Sequence, residues 1–336
     1  VTQHPHDALF KASLTPGAAR ALCRAVLPTE LGASLEAAEL SPQPVSFVEE
    51  ALRELRSDVC YSARVDGSET LLYVLFEHQS TVDPLMAFRV LRYTVELWSW
   101  WLKRQPGTPT RLPLIVPIVV YHGERAWNAA RDLAELVDVP PSLAGTELEF
   151  VPRFRYGFDD LTRRSDEELR ARQAPPFAAV AWIFFRHAYD PDRGIKVWQA
   201  NRDLLRALLQ QAEWASSLEK LVSYSLVRGL GSPDELRLEL RRLGGPEAEE
   251  VAVTAGERLL EQGRREGLEQ GLEQGLEQGL LEGERRVLRL QLCKRFALAT
   301  LPADTERKLQ AATQAELETW SERLLGATAL GDVFGA

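Results

Sequence analysis

Apolar and polar positions alternate between two rhythms along the first half of the chain. "LLYVLF" at 71–76 is six apolar residues without a break, followed by Glu77, His78 and Gln79. A run of that length reads as a strand buried on both faces. "LIVPIVV" at 114–120 reads the same way and ends in Tyr121, His122 and Gly123. Upstream, "SDVCYSARV" is strand-like, and "DGSE" at 66–69 is turn chemistry, so 57–77 predicts a hairpin. Between the two buried runs, Leu85, Phe88, Leu91, Val95, Trp98 and Leu102 recur every three or four residues, which predicts an amphipathic helix. Asp83 and Pro84 suit its N-cap and first helical position. Lys103 and Arg104 suit its last turn, and Pro106-Gly107 end it. A short helix carrying Leu22, Ala25 and Val26 stops before Pro28, and "TELEFVPRFRYGF", with Arg153 and Arg155, predicts a later strand. The order helix, hairpin, helix, strand gives an α/β fold, a mixed sheet flanked by helices.

The rhythm changes after residue 162. "PPFAAVAWIFFRHAYD" and "NRDLLRALLQQAEWASSLEKLVSYSLV" carry helical spacing, and His187 falls on a helix as an ordinary residue. Glycine then recurs at 263, 267, 271, 275, 279 and 283, with Leu at 268, 272, 276 and 280. A four-residue period advances about 400° on an α-helix, so the Gly stripe drifts about 40° per step and a heptad coiled coil fits poorly. Each Gly costs about 1 kcal/mol against Ala in a helix. The segment is therefore either a helix whose Gly face admits a partner backbone, giving a homo-oligomer such as a dimer, or a linker. The expected organisation is 1–162 sheet core, 163–250 helical subdomain, 251–286 Gly-Leu-Glu-Gln repeat and 287–336 C-terminal helical segment. The last holds the strongest basic cluster, "ERRVLRLQLCKRF".

Composition narrows the class. The chain has 336 residues, 45% hydrophobic and 26% charged, a globular balance. Its net charge of -9 argues against a nucleic-acid coat protein but leaves room for an enzyme that meets DNA through a local basic patch. Cys23, Cys60 and Cys293 form no CxxC pair, which suits a reducing cytoplasm. No apolar run predicts a membrane span, and the N-terminus carries no signal-peptide pattern.

The hairpin holds the chemistry. A loop at Gly67-Ser68, or a four-residue loop at 66–69, sets Asp58 directly opposite Glu77. A loop at Asp66-Gly67 sets Asp58 opposite Leu75, diagonal to Glu77. All three put both acids on one face, with Gln79 beside Glu77 and His78 pointing away. Like charges so placed repel. A divalent cation between them relieves the repulsion and is the type of ion held by one or two carboxylates plus water and phosphate oxygens. Two solvated acids at a strand end is the other reading of the same spacing. Arg89 and Arg92, one helical turn apart, suit phosphates or an ion pair with Glu96. Trp98, Trp100 and Trp101 suit a core or interface. His4, His6 and His122 have no metal-ligand spacing. Asp7, ahead of Leu9 and Phe10, suits an N-cap.

"HDALFK", "SDVCY", "FEHQS" followed by "DPLMAFRVLRY", and "PIVVYHG" with a following Trp127, taken in that order, resemble the Rpn family of recombination-promoting nucleases. This family is a branch of the PD-(D/E)XK nuclease superfamily and is also described as transposase-like. The Gly-Leu-Glu-Gln tail is similar to the C-terminal repeats of that family. The resemblance implies a Mg²⁺-dependent DNA endonuclease, a hydrolase linked to DNA recombination or mobile elements, or one used in defence against foreign DNA. It implies metal ligation by Asp58, Glu77 and the backbone carbonyl of His78. Asp7 would complete the catalytic set, and Gln79 stands where the superfamily has Lys. Lys11, Arg89, Arg92 and His122 are the candidate DNA contacts. A neutral Gln79 orients a water or a phosphate oxygen without supplying charge, so a nuclease-fold binding or regulatory protein with weak or no catalysis is the competing reading.

Overall fold

The computed structural model describes residues 5–43, 59–77, 82–143, 145, 150–190 and 192–335, with the backbone alone at residue 5 and residues 74–77. Asp58, His78 and Gln79 lie outside the described residues. The described residues divide into two compact units, 1–257 and 258–336.

The first unit opens with three helices, α1 (Pro5–Ser13), α2 (Pro16–Val26) and α3 (Thr29–Ala37). Thr15 caps α2 through its side chain, and Pro16 occupies the first turn, where a missing N–H costs nothing. Five strands follow: β1 (Ser41–Gln43), β2 (Val59–Val65), β3 (Ser68–Glu77), β4 (Leu114–Tyr121) and β5 (Gly157–Asp160). They lie in chain order within one sheet. β1, β2 and β3 pair antiparallel, while β3–β4 and β4–β5 are parallel. The crossover from β3 to β4 is α4 (Met86–Arg104), as a parallel connection requires. The expected mixed sheet flanked by helices is present.

The hairpin turns at Asp66-Gly67, with Val65 paired to Ser68 and Val59 to Val74. Both turn residues have positive φ, 48° and 77°, the geometry in which a two-residue loop matches strand twist. This is the third of the three registers considered. The two that set residue 58 against residue 77 are excluded.

Alternation sorts the sheet into two packed faces. Tyr61, Ala63, Leu72, Val116, Ile118 and Val120 belong to one core, with α1, α2 and the later helices. Cys60, Leu71, Tyr73, Ile115, Val119 and Tyr121 belong to the other, with α4. α4 departs from expectation. It buries Met86, Val90, Tyr93 and Leu97, while Leu85, Phe88, Val95 and Leu102 are 54%, 53%, 47% and 40% exposed. Apolar residues populate both sides of this helix, so periodicity alone chose the wrong side. The helix also starts after its expected cap: Asp83 accepts from the Leu85 N–H at 2.9 Å in the turn before it. The last strand starts at Gly157, beyond Arg153 and Arg155. Arg155 forms an isolated bridge to Asp132 outside the sheet, and the two side chains also pair at 3.4 Å.

Helices α5 (Asp166–Ala171), α6 (Pro176–Arg186), α7 (Lys196–Ala200), α8 (Arg202–Leu209) and α9 (Trp214–Arg228) complete the first core. Every residue of α6 from Phe177 to Phe185 is buried, which an all-round apolar helix requires. α10 (Pro233–Arg295) is broken at Gly245, whose φ of 73° and ψ of -160° precede Pro246.

In the second unit, α11 (Ala303–Ala311), α12 (Gln314–Gly326) and α13 (Leu330–Phe334) pack around Leu288 and Leu292. The basic cluster serves this fold. Arg285 donates to the Ala312 carbonyl at 2.7 Å and Arg295 to the Ala327 carbonyl at 3.2 Å, the C-caps of α11 and α12. Arg289 pairs with Glu306. The Gly repeat is helical, and Leu268, Leu272, Leu276 and Leu280 are each more than 60% exposed. Among the described residues no helix is long and apolar enough to cross a membrane.

Candidate active site at the carboxyl ends of the central strands

β3 and β4 run side by side, and Glu77 is the register partner of Tyr121. One strand further, Tyr121 is the partner of Asp160. The carboxyl ends of three neighbouring parallel strands therefore form one edge, the place where open α/β sheets present ligand-binding groups. The first turn of α1 meets this edge: His6 Nδ1 lies 3.4 Å from His122 Nε2, and the two rings stack at 5.5 Å. Asp7, the next residue, is 2% exposed. It lies in the first turn of the helix rather than at a cap outside it, where the backbone N–H groups favour a negative charge.

The structure thus brings Asp7 and His122 to the edge where β3 ends at Glu77. It does so differently for each. His122 is fully buried, packed on Phe185 at 5.0 Å and Tyr189 at 5.7 Å. His122, expected as a DNA contact, is a packing residue of the site wall in this conformation. Tyr224 closes the cluster edge-on to His6 at 5.0 Å, and its phenol pKa is raised well above the ordinary value by burial. Tyr121 explains the rest of the "YHG" motif. Its hydroxyl donates to the Arg125 carbonyl at 2.7 Å, and a Cβ at Gly123 would lie 2.1 Å from that oxygen.

Among the cationic candidates, Lys11 is half-buried in the last turn of α1 and Arg92 is exposed. Arg89 pairs with Asp83 at 3.3 Å rather than with Glu96. Glu96 sits seven residues further along the helix, whereas Asp83 folds back from the preceding turn. Trp98 and Trp101 are anchored in place, donating to the Pro113 carbonyl at 2.9 Å and to Glu69 at 2.7 Å.

Two buried ionic groups escaped the sequence reading. Asp159 is fully buried and accepts two hydrogen bonds from Arg172, at 2.6 and 2.8 Å, and a third from Arg164 at 3.3 Å. Asp160 caps the turn after β5, accepting from the Thr162 N–H at 3.1 Å. These acids stand at the same sheet edge as the site but are occupied structurally. A doublet of acids closing an alternating segment was their one local signal; the partner Arg172 had none. His187 also does more than occupy a helix, bonding Asp166 at 2.9 Å.

The donor set expected for the site, two carboxylates and a backbone carbonyl, is all hard oxygen. It fits a small divalent cation such as Mg²⁺ and not a soft metal. Among the described residues no group of three His, Cys, Asp or Glu side chains stands ready to hold a metal.

Comparison with known proteins places this geometry in context. Residues 4–216 match the family model described as "Putative transposase, YhgA-like". Recombination-promoting nuclease RpnD of Escherichia coli O157:H7 is 38% identical over 126 residues, 37% of this chain and 48% of that protein. Recombination-promoting nuclease RpnA of Escherichia coli strain K12 is 39% identical over 120 residues, 35% of this chain and 40% of that protein. A longer similarity, 28% over 268 residues, covers 79% of this chain and 85% of a K12 protein named "Inactive recombination-promoting nuclease-like protein RpnE". The chain spans about half the length of RpnD and less of RpnA. No solved structure matches.

Proposed function

Because the chain belongs to the Rpn family of recombination-linked nucleases, which includes members named inactive, we propose that it is a Mg²⁺-dependent DNA endonuclease of PD-(D/E)XK type. The observation that carries the reading is the end of β3. Glu77 stands beside Tyr121 on adjacent parallel strands, next to the helix turn that holds Asp7. In this reading Asp58, Glu77 and the His78 carbonyl would hold the cation, which would supply charge stabilisation and lower the pKa of a bound water. Gln79 orients the attacking water by hydrogen bonding. Asp7, in the first turn of α1, would complete the catalytic set from the helix side. Attack on the phosphodiester is in line, and the leaving 3′ oxygen departs on the far side. Lys11, Arg89 and Arg92 meet the DNA backbone, with Arg92 the most accessible. Action in recombination, mobile-element movement or defence would use this same chemistry.

Glu77→Ala and Asp58→Asn proteins should lose Mg²⁺-dependent cleavage of plasmid DNA while keeping the far-UV spectrum of the parent. Cleavage at the parental rate by both variants would sink the assignment.

Two observations favour a second reading. Gln79 stands where the superfamily has Lys, and a similarity that covers most of the chain is to a protein named inactive. On this reading the domain binds DNA without cutting it. Parent protein that shifts DNA in a gel but leaves plasmid intact with Mg²⁺ or Mn²⁺ would decide for it. Under either reading the repeat associates chains into a homo-oligomer. Equal oligomeric mass for the full chain and one ended at residue 256 would remove that part.

A further inference from the structure

We infer that the turn after β4, residues 122–131, is a clamp for the phosphates of the DNA backbone, with Arg125 and Arg131 as its two contacts. The inference rests on the reading that this site meets DNA, which the nuclease and the non-cutting DNA binder share. The turn begins where β4 ends, at Tyr121, the register partner of Glu77. Adjacent strands lie about 4.8 Å apart, so the turn starts one strand from a proposed metal ligand. Core side chains hold its backbone at three carbonyls. Tyr121 donates to the Arg125 carbonyl at 2.7 Å and Trp127 Nε1 to that of Ala129 at 3.0 Å. Tyr156 donates to the carbonyl of Ala130, the residue before Arg131, at 3.0 Å. Trp127 itself packs on Tyr121 at 5.0 Å and on Phe158 at 4.7 Å. A turn that only joins two elements needs no such anchoring, whereas contact residues need a backbone that holds them in place.

What the turn presents is positive charge. Arg125 and Arg131 are both exposed, and among the described residues neither pairs with an acid. Other arginines near this edge are occupied. Arg163 pairs with Asp160 at 3.5 Å, Arg164 with Asp159 at 3.3 Å and Arg155 with Asp132 at 3.4 Å. Arg131 lies over the Phe158 ring at 5.6 Å, which steadies the guanidinium without taking up its N–H donors. Glu124 is the one acid in 122–131, so the turn is net positive in a chain of net charge -9. The expected cation of this motif, His122, is turned inward onto Phe185 and Tyr189. Arg125, three residues on, takes the outward place. A guanidinium is also the better group for the task, since its planar fork matches two phosphate oxygens at once.

The test measures binding of the full chain to a labelled DNA duplex across a salt series, with Ca²⁺ in place of Mg²⁺ to hold back cleavage. Each phosphate contact adds about 0.9 to the slope of log affinity against log salt. Arg125→Ala and Arg131→Ala should each lower that slope by about 0.9 and weaken binding about tenfold at fixed salt. Arg125→Lys, which keeps the charge, should keep the slope. Arg111→Ala removes an exposed arginine at the amino end of β4, about 26 Å away along the eight-residue strand, and should match the parent. Arg125→Gln and Arg131→Gln, which keep part of the apolar stem, repeat the measurement if either alanine protein departs from the parental far-UV spectrum. A parent that binds DNA, with an unchanged slope when both arginines are replaced, overturns the inference and leaves the DNA reading standing. So does an Arg111→Ala slope that falls as far as that of Arg125→Ala, since net charge alone would then account for the loss. A parent that binds no DNA overturns both.

Discussion

Glycine does opposite things in the sheet unit and in the repeat. In the sheet unit the neighbours demand it at two positions. A Cβ at Gly123 would lie 2.1 Å from the Tyr121 hydroxyl, and one at Gly244 would lie 2.8 Å from both Ala248 Cβ and Leu209 Cδ1. In the repeat nothing demands it: Gly263, Gly267, Gly271, Gly275, Gly279 and Gly283 have no atom within 4 Å of where a Cβ would be. All six sit in a helix, where Gly is the poorest residue after Pro. The same contrast holds for Leu. Leu236 and Leu240, early in α10, are fully buried, whereas Leu268, Leu272 and Leu276 are about two-thirds exposed. The sheet unit explains its residues by contacts inside the chain. The repeat carries residues that cost stability and gain nothing inside the chain, which is the pattern expected of a surface shaped for another molecule.

The sharpest way to break this comparison is to remove a group that the sheet unit encloses. Asp159→Ala leaves Arg172, itself 7% exposed, as an uncompensated buried cation. Breaking a buried pair in this way costs about 3–5 kcal/mol, read as a lower midpoint in urea. An Asp159→Ala protein within about 1 kcal/mol of the parent would show that the pair is held loosely and that the enclosed character of this unit is overstated. Next in size is Gly123→Ala. The added methyl must displace the Tyr121 ring, which is fully buried against Trp127 at 5.0 Å, and overpacking of this kind costs about 1–3 kcal/mol. The same substitution serves as a control on the site, since it moves the strand end beside Glu77 without touching a proposed ligand.

These two cases also mark what was legible in the sequence. The hairpin, the crossover helix and the second buried strand were readable, because each is a local pattern of period 2 or 3.6 closed by turn residues. The hairpin register was not, because "DGSE" supports more than one loop and only the positive φ at both Asp66 and Gly67 selects one. The buried side of α4 was not readable either, since apolar residues line both sides and the sheet, not the helix, decides. The end of β3 reads as a candidate site because an acid, an imidazole and an amide close an apolar run. The walls around it were not: His6 meets His122 across 116 positions, and no local rule brings those two together. Arg172 is equally remote in pattern from Asp159, so the buried pair they form left no signal in the sequence.

A third substitution probes charge at the rim of the same unit. Asp166 accepts from His187 at 2.9 Å and pairs with Arg186 at 3.1 Å. Burial alone would raise its carboxyl pKa. The hydrogen bond and charge of His187, with the Arg186 guanidinium, outweigh burial and hold it below the ordinary 3.8. A carboxyl depressed in the fold contributes stability above its unfolded pKa and loses it as pH falls through the folded value. Asp166→Asn should therefore cost about 1 kcal/mol at pH 7, the pair being partly screened. The difference between variant and parent should shrink below about pH 4. A gap that stays constant from pH 7 to pH 3 would show that packing, not charge, is what the residue supplies.

The smallest effect has the opposite sign and tests the repeat directly. Gly271→Ala meets no neighbour, so inside one chain it should only help. Ala is worth about 1 kcal/mol over Gly in a helix interior, and the helical signal of the tail should melt later. If the Gly face admits a partner helix, the same methyl holds the two backbones apart, and association should weaken as helicity rises. The two readouts move in opposite directions only if the glycines serve a second molecule. Gain in both would make the repeat an ordinary helix that tolerates glycine. That outcome would confine the requirement for glycine to positions such as Gly123 and Gly244, where the chain's own atoms leave no room for a side chain.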